Sequence, residues 1–480
     1  MSLTQPAERR TVEPGVPWWA LCLDLLSIAL LVLAAAVAFG GRIHQHPFGI
    51  HVSIGSWQRP LIQAVALAGL RHWFRPRPPL HALIGAAARA AWTSHATRAA
   101  IAPFFASRLA VYTVGFVAIA FIGLGPESAR YRFSDNELVN MLARWDANWY
   151  TGIAEGGYSW NGDPRIENAV VFFPAYPMLI RAGMRLSGLP APYVGFGISL
   201  LAFFVALSYL YRLGRDYQHI AAPEAAIGFA CWYPFGVFYS AVYTESLFLL
   251  AASAAFYHAH GGQRWRTAGW GLLVGLTKPN GFLIALPLFV LFLGGAAGRS
   301  DAGWRLWRDR AARRALLLDM MSAAAPVLGV GLYSLYMWQL TGDPLAWLHG
   351  QQAWGRVYHG LRSVVLDPVI EMARIGPVAY ALAYPAAVLN GSAAAFALAT
   401  AFPATRRLGP SYGLLIVLLV VPPLLAGGTL SLGRLTSGLF PVFLWLAAVV
   451  PAHHRGQWYG AWGCGQALVA VLFFTWQLMY

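Results

Sequence analysis

The chain has 480 residues, of which 58% are hydrophobic and 11% charged, with a net charge of +15. Soluble domains carry about 25% charged residues, so this composition excludes a soluble globular chain and points to an integral membrane protein with many spans. The basic excess does not indicate nucleic acid, because it sits in short stretches between apolar runs ("RHWFRPRP" at 71–78, "QRWR" at 263–266, "RSDAGWRLWRDRAARR" at 299–314), as positive cytoplasmic loops do.

In chain order, the first apolar run exceeds a signal h-region and lacks a small-x-small cleavage site, so it is predicted to stay as an anchor. Spans are predicted near 19–41, 58–74, 101–124, 192–212, 222–241, 244–260, 267–279, 281–297, 315–340, 376–401, 411–428, 435–451 and 457–479, about thirteen in all. With the N-terminus inside, the loops at 71–100, 212–220, 260–267, 298–315, 402–410 and 452–456 are inside too, and with the N-terminus they hold more than half of the Lys and Arg. The two longest outer segments are then 125–191 and 341–375, rich in Trp, Tyr, Pro and Gly, and in-plane helices are expected in the first of them. "LTKPNGFLIALP" at 276–287 predicts a helix break lining a cavity. Cys22, Cys231 and Cys464 all lie in apolar runs and read as buried hydrophobes. No internal repeat or separate soluble domain is evident. The predicted fold is an all-α polytopic membrane protein.

The chemistry-bearing residues begin with "RWDANWYTGIAEGGY" at 144–158. As a helix it places Trp145, Trp149 and Ile153 on one face, Asp146 and Tyr150 on the next, and ends at Gly156 and Gly157. Such a segment lies in the membrane interface and presents Asp146 above it; the same pattern fits an interfacial helix with merely solvated carboxylates. Glu245, Lys278 and Arg434 each interrupt an apolar run, at a cost of about 2.5–3.5 kcal/mol at the bilayer centre, so each is expected beside a polar cavity. All three fall near the outer ends of their spans, on the side of Asp146. Two cations beside an apolar wall suit a phosphate on a lipid tail, and a carboxylate opposite them can take a proton from an attacking hydroxyl. Together these parts suit group transfer from a lipid-linked phosphate donor.

The run "RWDANWYTGIAEGGY", "NAVVFFPAYPMLIRAGMRL", "YPFGVFYSAVYTESLFLL" and "GLLVGLTKPNGFL", in that order, resembles the PIG-V family of membrane mannosyltransferases (GPI mannosyltransferase II), which has bacterial members. The resemblance runs through about residues 100 to 450. It implies a GT-C glycosyltransferase fold, a polyprenyl- or dolichyl-phosphate sugar donor, an inverting mechanism and Asp146 as the base. It also implies a bacterial inner-membrane location with the site on the periplasmic or extracellular face. In its terms residues 1–100 form an N-terminal membrane region of two spans outside the match, 101–455 the catalytic membrane domain, and 456–480 a C-terminal transmembrane helix. Lys278, Arg434 and Asn280 are assigned to the donor phosphate. Arg144, Trp149, Tyr150, Glu155, Tyr158, Tyr176 and Glu245 are assigned to substrate binding. Family members often have Arg-Pro-Asn-Gly or Arg-Ser-Asn-Gly where this chain has Lys278-Pro279-Asn280-Gly281, so a forked contact becomes a point charge here.

No cofactor is assigned, and Glu155 with Asp146 could hold a divalent metal. The histidines of "HAH" at 258–260 and "HH" at 453–454 read as interfacial residues, and "HQHPFGIH" at 44–51 as a weak metal signal. No P-loop or dinucleotide fingerprint is present, which favours a lipid-linked donor over a nucleotide sugar. The acceptor, a lipid, glycan or protein, is open. The competing class is a transporter or flippase for a lipid-linked sugar, for which charged residues and a broken helix also fit; a non-catalytic scaffold would leave the buried charges unexplained.

Overall fold

The computed structural model describes residues 18–40, 43–45, 52–54, 56–74, 93–126, 132–299, 310–358 and 362–477, with a few single positions between. Residues 75–81, 83, 84, 87–92 and 300–309 of the predicted basic loops, and residues 46–51 of the first histidine cluster, lie outside them. The chain divides into two units, 1–94 with 185–188, and 95–184 with 189–480.

The smaller unit is a helical hairpin of Trp18–Gly40 and Gln58–Phe74. A short antiparallel ribbon pairs Ile43–Gln45 with Val52–Ile54, Ile43 opposite Ile54, which departs from the all-α prediction. Between the helices Arg71 pairs with Asp24 at 2.9 Å, and Ser27 Oγ donates to the Ala64 carbonyl at 3.0 Å. Both charges are buried, and each is tolerable there only because the other is present.

The larger unit is a bundle whose helices follow the predicted order. Among the described residues four are long and apolar enough to cross a membrane: His95–Ile122, Ala191–Tyr217, Pro385–Leu408 and Pro410–Gly427. A fifth is added if Arg313–Ala323 and Ala325–Thr341, bent by 46° at Ala324, count as one. The chain is thus a multi-pass helical membrane protein, with fewer full-length crossings among the described residues than thirteen. Pro326 at the start of the second half explains the bend, since proline blocks the preceding turn's hydrogen bond.

The predicted span at 222–241 is also broken. Its helix, Glu224–Cys231, stops after 8 residues and the chain continues as a turn and a 3-10 segment, Gly236–Tyr239. Carbonyls released from a helix in an apolar interior need donors. Arg108 supplies them, with Nη1 on Gly236 O at 2.6 Å and on Ser240 Oγ at 2.8 Å, and Nη2 on Cys231 O at 3.1 Å. Gln466 Nε2 adds bonds to Cys231 O at 3.0 Å and Tyr233 O at 2.8 Å. This pinned link delivers Tyr243 and Glu245 to the head of the Glu245–His260 helix.

The predicted break at 276–287 is present as well. Arg264–Thr277 is followed by Lys278 in extended backbone, then a 3-10 turn over Pro279–Ile284 and the helix Ala285–Arg299. Close packing fixes it: a Cβ on Gly275 would stand 2.0 Å from the Pro326 carbonyl oxygen, so the 264–277 and 325–341 helices meet backbone to backbone.

Candidate active site

The segment that carries Asp146 is folded by its neighbours rather than by its own periodicity. A one-turn helix, Glu137–Asn140, is capped by Asn136, and Glu137 accepts a hydrogen bond from Arg144. Trp145 then takes a positive φ of 53°, a left-handed conformation that costs a bulky residue about 1–3 kcal/mol. Its indole N–H donates to Phe473 O at 3.2 Å and its ring lies 4.9 Å from that of Trp476, contacts that hold it there. The helix therefore begins only at Ala147 and ends at Gly156, with Gly157 at φ 92°. Trp145 and Trp149 do not share a face as predicted: Trp145 turns to Trp476, while Trp149 stacks on Phe172 at 5.5 Å.

Asp146 stands at the N-terminal boundary of this helix without capping it, which frees its carboxylate. Its backbone N–H donates to Tyr243 OH at 3.0 Å, and Arg434 Nη1 donates to its Oδ2 at 2.5 Å. Arg434 Nε lies 3.4 Å from Glu245 Oε1, and Lys278 Nζ donates to that same oxygen at 2.8 Å. The four ionisable groups singled out in the sequence are therefore one chain of contacts, Asp146–Arg434–Glu245–Lys278. Side-chain exposure is 19% at Asp146 and 16% at Arg434, against 1% at Glu245 and 8% at Lys278. Asp146 is thus the more exposed carboxylate of the two, and Glu245 the buried counter-ion. Arg434 is presented by the short Leu432–Thr436 helix, entered through Ser431 at φ 56° and tied by Gly433 N–H to Asn390 Oδ1 at 2.9 Å. Its guanidinium sits 5.3 Å over the Tyr243 ring.

An aromatic wall adjoins the network. Trp354 meets Trp149 and Phe172 edge-on, at 5.5 Å each. Tyr150 packs edge-on against Phe172 at 5.2 Å and Tyr176 at 5.4 Å. Tyr176 is fully buried, bonded to Gly195 O at 2.8 Å and Ser199 Oγ at 2.7 Å, and supports the wall from behind. Tyr158 OH donates to Phe172 O at 2.6 Å, and burial pushes its phenol pKa up, so it remains a donor. Beyond Tyr158 an apolar cavity of about 300 Å³ is lined by Tyr333, Tyr336, Leu276 and Arg181 among others. A larger one, about 370 Å³, lies around His260 and Tyr412 at the other end of the 245–260 helix, away from this network.

Several assigned residues lie elsewhere. Arg144 is 1% exposed, spent on Glu137 and stacked 5.5 Å from Trp476. Glu155 is exposed at the far end of its helix, and no cluster of three or more metal-ligating side chains occurs among the described residues. Asn280 is half-buried in the 3-10 turn. His258 is bonded to Gln263 at 2.6 Å and to Tyr209 at 3.1 Å, and His260 to Tyr412 at 2.8 Å. One charge missing from the sequence-based set is Arg356, half-buried and packed so that a Cβ on Gly427 would lie 3.3 Å from its Cγ. Nothing in "QAWGRVY" separates it from an ordinary interfacial arginine.

Residues 126–297 match the sequence family described as Mannosyltransferase (PIG-V). GPI mannosyltransferase 2 of Drosophila pseudoobscura pseudoobscura is 27% identical over 169 residues, covering 32% of this chain and 36% of that protein. The aligned part thus spans about a third of the relative's length. No solved structure matches the chain. Asp146, Glu245 and Lys278 all fall within the 126–297 stretch that is similar to the PIG-V mannosyltransferase family.

Proposed function

We propose that the protein is a membrane mannosyltransferase that moves a sugar from a polyprenyl-phosphate donor to an acceptor hydroxyl on the non-cytoplasmic face, with inversion and with Asp146 as the base. The observation that carries this reading is the accessible Asp146 carboxylate held at 2.5 Å by Arg434, at the head of a charged network inside an apolar bundle. Its place within the family-matched segment supports the same reading.

In the proposed reaction the acceptor oxygen attacks the anomeric carbon on the face opposite the phosphate. Its proton passes to Asp146 as the carbon–oxygen bond to phosphate breaks, and the bond's electron pair leaves with the lipid phosphate. Arg434 orients Asp146 through Oδ2, leaving Oδ1 to receive the proton. Positive charge nearby stabilises the departing phosphate as its charge grows. Trp149, at the half-buried front of the aromatic wall, offers a ring face to the sugar.

The test uses the full chain in lipid nanodiscs with polyprenyl-phosphate-mannose, reading the release of polyprenyl phosphate. Asp146→Asn retains the bond from Arg434 yet cannot take a proton, so turnover is expected to fall by roughly 10²–10⁴-fold with the thermal transition unchanged. Near-normal turnover in that variant would sink the assignment of the base. Lipid-linked sugar crossing the bilayer with no new glycosidic bond would favour the transporter class instead.

A further inference from the structure

Charge pairing inside the network limits what its cations can hold. Lys278 is committed to Glu245 at 2.8 Å and Arg434 to Asp146 at 2.5 Å, so an anion that took either one would strip a buried or half-buried carboxylate of its partner. The donor of the proposed reaction brings a phosphate that needs a cation of its own. Arg356 meets that need. It has no ion pair among the described residues, and it packs against Gly427, at the start of the link that leads to Arg434. Burial, with the neighbouring Arg434 charge, lowers its pKa to about 10, and Asp146 opposes that shift, so it is cationic at neutral pH.

A second observation sits two residues away. The Trp354 indole N–H is buried with no acceptor among the described residues, although its ring rests on Trp149 and Phe172 beside Asp146's helix. A buried donor left unmade costs about 1–3 kcal/mol, so such a group calls for a partner from outside the chain. An unpaired guanidinium and an unpaired N–H, on one short segment against the same network, both ask for an acceptor-rich ligand.

We propose that the 354–356 segment completes the donor site, with the Arg356 guanidinium taking the phosphate of the lipid-linked donor as a fork and the Trp354 N–H bonding an oxygen of the same donor. This rests on the glycosyl-transfer reading and deepens it. Lys278 and Arg434 then act by balancing Glu245 and Asp146 rather than by gripping the phosphate. With Arg356 counted, the network's three cations face two carboxylates, and the remaining positive charge matches the one negative charge of a phosphodiester. Arginine suits this place because its planar fork can grip two phosphate oxygens at once.

The experiment compares wild type, Arg356→Lys, Arg356→Gln and Trp354→Phe as full chains in nanodiscs, with Asp146→Asn beside them. Arg356→Gln is expected to raise the KM for polyprenyl-phosphate-mannose about 10- to 100-fold, with a smaller change in kcat and no change in thermal transition. Arg356→Lys should recover part of the loss, and Trp354→Phe should show a smaller rise in KM. An unchanged donor KM in Arg356→Gln, or loss of kcat alone with a lowered thermal transition, overturns the proposal. Direct binding of polyprenyl phosphate to the same proteins keeps the test separate from the reaction. If wild type turns over nothing with this donor, weakened polyprenyl phosphate binding in Arg356→Gln alone still supports the phosphate site, and unchanged binding overturns it. Polyprenyl phosphate should compete at concentrations where inorganic phosphate does not; equal competition by inorganic phosphate overturns the lipid-linked assignment.

Discussion

At the scale of single residues the buried end of the network, around Glu245, is held by charges that cannot be removed one at a time. Glu245 is 1% exposed and serves both Lys278 and Arg434 from one oxygen. Taking away one partner of a buried ion pair strands the others and costs about 3–5 kcal/mol, whereas replacing a pair with apolar side chains can be nearly neutral. Glu245→Gln is therefore expected to lower the thermal transition of the purified protein markedly. Adding Lys278→Met to it should recover much of that loss without restoring transfer. If the double variant is less stable than the single, Lys278 has a partner other than Glu245. These residues were legible in the sequence because a charge in an apolar run is costly and so stands out. Arg356 was not, since an arginine in a polar outer loop breaks no pattern. The left-handed Trp145 was equally hidden: its conformation is imposed by Phe473 and Trp476, more than 300 residues away.

At the scale of elements the position of Lys278 depends on how closely two helices approach. The 264–277 helix meets the 325–341 helix at Gly275, where a Cβ would stand 2.0 Å from Pro326 O, which is backbone and cannot swing aside. Gly275→Ala must push these helices apart and shift the extended Lys278 that follows. Gly269 lies in the same helix with nothing within 4 Å of the position its Cβ would take. Gly269→Ala is thus expected to be neutral or to stabilise by up to about 1 kcal/mol through helix propensity. The pair is read by thermal transition and by transfer rate, and equal behaviour of the two variants would remove close packing as the device that sets the break. Helix order, and the interruption at Pro279, followed from hydrophobic runs and proline. The broken 222–241 segment did not, because its turn is as apolar as a span and its freed carbonyls are satisfied by Arg108 and Gln466 from distant helices.

At the scale of the whole molecule, the family-matched stretch 126–297 is not sufficient to build the site. Arg434 reaches Asp146 across 288 positions of chain, and Trp145 reaches Phe473 across 328. The Ala452–Phe474 helix and the turn after it supply the acceptor for Trp145, the ring over Arg144, the Thr475 carbonyl for Gly125 N–H and the amide that holds the Cys231–Tyr233 turn. None of these groups carries a charge, yet together they fix the stretch that leads into Asp146 and the turn that leads to Glu245. Removing residues 452–480 leaves every family-matched residue in place and is expected to abolish transfer. The milder Trp476→Ala removes only the ring packed on Trp145 and Arg144. It should lower kcat by roughly tenfold while leaving the donor KM near wild type, because misplacing the proposed base, Asp146, by even about 1 Å acts on the chemical step rather than on donor binding. Steady-state kinetics on Trp476→Ala, beside a thermal transition to confirm folding, checks this. A raised donor KM with normal kcat would place Trp476 on the donor's binding surface instead.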